Sequence, residues 1–191
     1  MDVEYAQREV RTTYVGGSVG QLVSGLIWVA SAVVATWGSH RAAAVLLVVG
    51  GVFIFPLTQV VLRLMGRPSS LRRGHPMNAL GMQVAFVLPL SLPVVFAASI
   101  YHHAWFYPAM MVVLGAHYLP FIFMYGMWQF GVLSAVLIGA GVGIGLWAPG
   151  EFSLGAWLTA VALLGFAAVS WLVVGRESRE AVGPFLVRGQ V

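Results

Sequence analysis

Charge is shut out of the long apolar stretches of this chain. Ten arginines and six acids are its only formally charged residues among 191, and all sixteen lie outside, or at the ends of, six apolar segments. Tyrosines aside, His117 is the one ionisable group near the middle of any segment. Charged residues make up 8% of the chain and hydrophobic ones 60%, whereas a soluble domain carries about 25% charged residues. About 20 apolar residues suffice to cross a bilayer as a helix. The pattern predicts an all-α polytopic membrane protein, a bundle of six transmembrane helices at roughly 15–38, 42–64, 79–101, 105–127, 129–148 and 154–174. Residues 1–14 form an amphipathic tail before this domain (15–174), and 175–191 a second tail after it.

The same census excludes several chemistries. Without lysine there is no side-chain Schiff base, and without cysteine no disulfide, thiolate metal site or iron–sulfur cluster. No span carries Asp or Glu for a proton or sodium relay, and none carries an arginine ladder for voltage sensing. Nucleotide-binding, hydrolase and metalloprotease motifs are absent, so no catalytic residue, nucleotide or flavin is expected. A haem held by His103 and His117 is disfavoured, because helical rise separates them in depth by roughly 20 Å. The basic balance does not point to nucleic acid, since the arginines flank apolar segments. An apolar run this long after residue 14 does not match a cleaved signal peptide, whose apolar region is about 7–15 residues.

Arginine also sets an expected orientation. With six spans, both termini share a side with the 65–78 loop. That side holds Arg8, Arg11, Arg63, Arg67, Arg72, Arg73, Arg176, Arg179 and Arg188, and the other only Arg41. Positive charge stays on the cytoplasmic side, so both termini are expected there. Trp37, Trp105, Trp147 and Trp157 fall near outer span ends and Trp128 near an inner end, as an aromatic belt requires, while Trp28 is deep enough to be core.

Small residues and prolines suggest how the spans pack. Gly131, Ala135, Gly139 and Gly143 recur every four residues in span five, a stripe that serves either a packing face within the bundle or a homo-oligomer contact. Gly16, Gly20 and Ser24 form a shorter stripe in span one. Pro56, Pro89, Pro93, Pro108 and Pro120 interrupt spans two to four. Each removes a backbone donor, which implies either kinked helices or broken ones lining a cavity.

Three constellations are candidates for function. Gln21, Gln59 and Gln83 sit at similar depth, within roughly 6–9 Å of the inner boundary by helical rise, as ligand contacts or as interhelical hydrogen bonds. His117 and Tyr118, with Tyr125 two turns on, place polar groups near mid-membrane, where a polar residue is a functional candidate by default. Met110 and Met124 flank His117 on the same helical face but about 10.5 Å away along the axis, too far to share a metal with it. At the outer rim His40, His102, His103 and Glu151 offer zinc-type ligands without a diagnostic spacing.

Residues 106–127, FYPAMMVVLGAHYLPFIFMYGM, resemble a family of small uncharacterised bacterial multi-spanning membrane proteins through the GAHYLPF core. The resemblance implies a bacterial inner-membrane protein and makes Tyr107, Pro108, His117, Tyr118 and Pro120 family-type positions. It implies no activity. The leading expectation is binding or transport of a small neutral or weakly polar ligand through a cavity lined by spans one to four. The alternatives are a membrane-embedded metal enzyme with the outer-rim His/Glu site, and a structural or accessory subunit in the lipid bilayer.

Overall fold

Three helix starts in this chain are written by side chains that accept orphan backbone N–H groups. Asp2 caps Glu4 N at 3.4 Å, Ser39 Oγ caps Ala42 N at 3.1 Å, and His75 Nδ1 caps Met77 N at 3.2 Å. They open helices α1 (Val3–Tyr14), α3 (His40–Leu64) and α4 (Pro76–Tyr101). The others are α2 (Ser18–Trp37), α5 (Phe106–Tyr125), α6 (Gln129–Trp147) and α7 (Leu154–Val187). The computed structural model describes residues 2–148 and 150–187. Arg188 and the side chain of Arg179, both in the arginine count, lie outside what is described.

Six helices are long and apolar enough to cross a membrane, and the protein is an all-α polytopic membrane bundle. Around it the order is α3, α2, α7, α6, α5, α4. The outermost pair is thinly held: the central windows of α3 and α4 are only 11% buried, against 33–50% in the other spans. At 34 residues, α7 is about 51 Å long, so it outruns a hydrocarbon core of about 30 Å and continues as helix to Val187, into the expected C-terminal tail.

The prolines do not break their helices. Pro56, Pro89, Pro93 and Pro120 all sit inside continuous helices. Pro108 falls in the first turn of α5, where its missing N–H would have had no intrahelical partner. Of the two readings, broken helices are not what spans two to four show: each runs unbroken across its prolines.

The α6 stripe packs within the bundle only at its start, where a Cβ at Gly131 would lie 3.1 Å from Ile122 Cδ1 of α5. Ala135 and Gly139 are exposed, and a Cβ at Gly139 would meet nothing within 4 Å. Close approach of α5 and α6 instead uses Gly115 and Gly141. A Cβ at Gly115 would lie 2.6 Å from Ile138 Cγ1 and 2.9 Å from the Ser134 carbonyl. At Gly141 it would lie 2.8 Å from the Pro108 carbonyl. Span one does use its small residues: Gly16, Ser18 and Ser24 are buried, and a Cβ at Gly25 would lie 2.8 Å from Leu164 on α7.

A hydrogen-bonded chain ties three helices in the upper core. Tyr107 of α5 is fully buried, with its hydroxyl 2.6 Å from Ser31 Oγ of α2. Ser31 Oγ in turn donates to the Ala43 carbonyl of α3 at 2.9 Å, so Tyr107 is the donor to Ser31. Trp28 packs beside Tyr107, 5.9 Å between ring centroids, and is core.

Gly115→Val forces atoms into the α5–α6 contact and should destabilise by about 1–3 kcal/mol, as core overpacking does. Gly139→Ala, on the open stripe, should be neutral or slightly stabilising. Thermal unfolding of both variants in one detergent checks this, and equal melting shifts would refute the assignment of the packing face.

Candidate functional site

The mid-membrane candidates occupy different contacts. His117 is half-buried on α5 and faces α4 near the Val84 backbone. Its Nδ1 is buried and has no partner. Phe121 lies 5.1 Å and Tyr118 5.7 Å from the imidazole, centroid to centroid. Tyr118 and Tyr125 are buried and turn toward α6, stacking at 6.0 and 5.1 Å on Phe130. His117 therefore stands at an α4–α5 contact walled by aromatic rings, with one lone pair unused.

The glutamines do not form one layer. Gln21 is buried and faces α7, its Oε1 accepting from Ser170 Oγ at 3.3 Å while Nε2 is left without a partner. Gln83 is exposed on α4 and Gln59 half-buried on α3, and neither makes a hydrogen bond. Similar depth did not imply a shared direction. A space of about 500 Å³ is a groove between α2 and α3 lined wholly by apolar residues. A second, about 330 Å³, lies between α3 and α4. None of the polar candidates lines either.

At the end of the bundle opposite the arginine-rich loop, two of the four candidates meet. His40 Nδ1 and His103 Nε2 are 3.1 Å apart, and Phe152 stacks on both rings at 4.0 and 4.8 Å. His102 instead lies against Trp105, and Glu151 is exposed. Among the described residues no three His, Asp or Glu side chains come close enough to hold a metal ion.

The most connected polar cluster is one the sequence reading missed. It lies at the arginine-rich end, where α1 lies across the tip of α5. Gln7 Nε2 donates to the Phe123 carbonyl at 2.6 Å, and Arg11 donates to the Tyr125 carbonyl at 2.7 Å. These are last-turn carbonyls with no helical partner, at the negative end of the helix dipole, so an amide and a cation suit them. Gly126 makes the approach possible: it ends α5 at φ 63°, and a Cβ there would lie 2.6 Å from Gln7 and 2.9 Å from Arg11.

Further ion pairs extend this clasp. Arg11 Nε is 3.5 Å from Glu177 on α7. Glu9 pairs with Arg72 at 3.2 Å and with the buried His75 at 3.4 Å. Because His75 Nδ1 accepts from Met77 N, Nε2 carries the ring proton toward Glu9. Arg67 donates to the Thr12 carbonyl at 3.3 Å. The clasp thus holds α1 to α5, to α7 and to the loop between α3 and α4. The signal available in sequence was the amphipathic 1–14 segment, but its partners come from elements more than 50 residues away.

Buried polar atoms without a hydrogen bond fall into two groups. Glu9 Oε2, Arg11 Nε and His75 Nε2 belong to the clasp and face opposite charge or a proton donor. Gln21 Nε2, His117 Nδ1 and Ser134 Oγ lie inside spans. An unsatisfied buried polar atom costs roughly 1–3 kcal/mol, and lipid offers it no water.

Residues 3–174 match the profile of a family of unknown function, DUF7010. The chain belongs to this family. No curated protein and no solved structure matches it. The DUF7010 match covers α1, α2 to α6 and α7 as far as residue 174, so His117 and all of the clasp except Glu177 lie within it.

Arg11→Ala removes two charge-assisted contacts and should loosen α1 by about 1.5–3 kcal/mol. Hydrogen exchange should rise across residues 6–13 and stay unchanged in α5 and α6. Arg11→Lys should not restore protection, because an ammonium lacks the planar fork. Unaltered exchange in α1 would remove the clasp from consideration.

Proposed function

We propose that this DUF7010 protein binds a small neutral ligand inside the membrane at the α4–α5 contact, with His117 as its polar anchor, and passes it across the bilayer. The observation that carries this reading is the unpartnered, buried Nδ1 of His117 in a span that holds no charge. With the ring proton on Nε2, Nδ1 is an acceptor. The ligand it suits carries one O–H or N–H donor on an otherwise apolar body, to match Phe121 and Tyr118. Charged ligands are disfavoured, because no opposite charge lies in any span. The thin hold on α4, 11% buried in its central window, supports a helix that moves off α5 to admit the ligand.

Gln21 Nε2 and Ser134 Oγ are further unpartnered atoms in the spans, and they support an interior that accommodates polar guests or water. The outer-rim metal reading has no comparable support, since it rests on two histidines rather than three ligands.

Mass spectrometry of protein purified in mild detergent should find a small molecule released on denaturation. His117→Ala should lower its retention roughly five- to tenfold, the effect of losing about 1–1.5 kcal/mol. His117→Asn should restore part of it, because the amide oxygen replaces the acceptor. Equal ligand content in wild type and His117→Ala, both folded, would sink the assignment.

We also infer that this is a bacterial inner-membrane protein with α1 and the end of α7 in the cytoplasm, from the nine-to-one arginine bias. The chain has no cysteine, so single cysteines can be introduced without background. In intact cells an impermeant maleimide should label Gly150→Cys and spare Ser70→Cys; the reverse pattern would invert the topology.

A further inference from the structure

The α2–α3 groove is apolar along its whole length and ends among arginines. Val23, Leu26 and Ile27 line it from α2, and Leu46, Phe53 and Val61 from α3. Leu46 to Val61 spans 15 residues of helix, about 22 Å of axial length. One leaflet of a bilayer core is about 15 Å deep, half of about 30 Å, so a single acyl chain entering at the Val61 end can lie along about two thirds of the groove. Its volume is about 500 Å³, and Ala30 is exposed within it.

Basic groups stand at the end marked by Val61. Arg63 and Arg67 follow two and six residues later, and both are exposed. Arg67 reaches across the seam to the Thr12 carbonyl, near the start of α2, at 3.3 Å. Arg63 Nε donates to Ser69 Oγ at 3.2 Å. Each guanidinium has five N–H donors, so each retains several for a phosphate, which it recognises in bidentate fashion. No acidic side chain pairs with Arg63 or Arg67 among the described residues, whereas Arg72 and Arg11 are both engaged by glutamates.

We propose that this groove is a binding site for one anionic phospholipid, its acyl chain between α2 and α3 and its phosphate on Arg63 and Arg67. The two halves of the site match the two halves of such a lipid in polarity, an apolar groove for the acyl chain and exposed arginines for the phosphate. The occupant explains why α3 is so thinly buried in the protein itself: the lipid supplies the missing packing on the α2 side. The site is separate from His117, which faces α4.

Full-length protein exchanged into micelles with equal amounts of phosphatidylglycerol and phosphatidylethanolamine, then examined by native mass spectrometry, tests this. One phosphatidylglycerol per chain should be retained in preference to phosphatidylethanolamine. Arg63→Gln with Arg67→Gln should reduce that preference roughly tenfold or more, since each arginine near an anionic surface contributes about a fivefold bias. Arg63→Gln alone leaves the Arg67–Thr12 contact intact and should show part of the loss. Ala30→Phe fills the groove and should reduce retention of both lipids, with the melting temperature unchanged. Equal retention of the two lipids by the wild type overturns the proposal, as does unchanged preference in the double variant. A dimer free of lipid that Ala30→Phe splits into monomers also overturns it, by making a second copy the occupant.

Discussion

The hydrogen-bonded chain from Tyr107 through Ser31 to the Ala43 carbonyl is the constraint on which the bundle's geometry rests. In lipid, burying another apolar side chain gains little, because the surroundings are already apolar; helices are joined by close packing and by polar contacts. Tyr107 supplies both. Its hydroxyl donates to Ser31 at 2.6 Å, and its ring is covered by Trp28 and Phe152 at centroid distances of 5.9 and 5.0 Å. Through it α5, which carries α4 and α6, is fixed to α2, which carries α3 and α7. Ser31 is the narrower part of the joint. Without its hydroxyl, the Tyr107 donor loses its close acceptor and the Ala43 carbonyl loses its side-chain donor.

The spans were legible because charge exclusion is a one-dimensional signal, carried by where arginine and glutamate do not occur. The faces of the spans were not legible. α4, α5 and α6 are apolar all round, so periodicity does not say which side turns inward. The four-residue stripe of α6 attracted attention because it is regular, yet its Gly139 meets nothing, while Gly115 and Gly141, which follow no long pattern, form the contact with α5. The glutamines show the same limitation: depth follows from counting residues, but direction depends on neighbours. Of that set Gln21 found a partner helix, and Gln83 faces outward.

At the arginine-rich end the difficulty was different. Glu9, Arg11 and His75 look in sequence like solvated residues of a tail and a loop. What makes them a cluster is the position of α1 under the tip of α5, and that depends on the corner between α1 and α2. There Val15, Gly16 and Gly17 all have positive φ, 52°, 61° and 78°. For valine this is a costly conformation, on the order of 1–3 kcal/mol. Val15 holds it while buried against Leu62, Val19 and Val174. The corner turns the chain from the membrane surface into the bundle, and the clasp to α5, α7 and the loop offsets its strain.

Taken together, the two polar systems divide the molecule by depth and by charge. At the arginine-rich end every buried ionic atom without a hydrogen bond still faces an opposite charge or a proton donor, so that end is electrostatically closed and its job is to hold α1 in place. Inside the spans the unpartnered atoms of Gln21, His117 and Ser134 have no hydrogen-bond partner and no charged group paired with them. Evolution has ready ways to remove such atoms, since Phe for His117 or Ala for Ser134 would fill much of the same space without the polar penalty. Atoms of that kind, at about 1–3 kcal/mol each, are consistent with a second occupant of the interior. The clasp, by contrast, is complete without one. This asymmetry, more than the presence of a histidine in a helix, is why the ligand reading is centred on His117 rather than on the larger cluster below it.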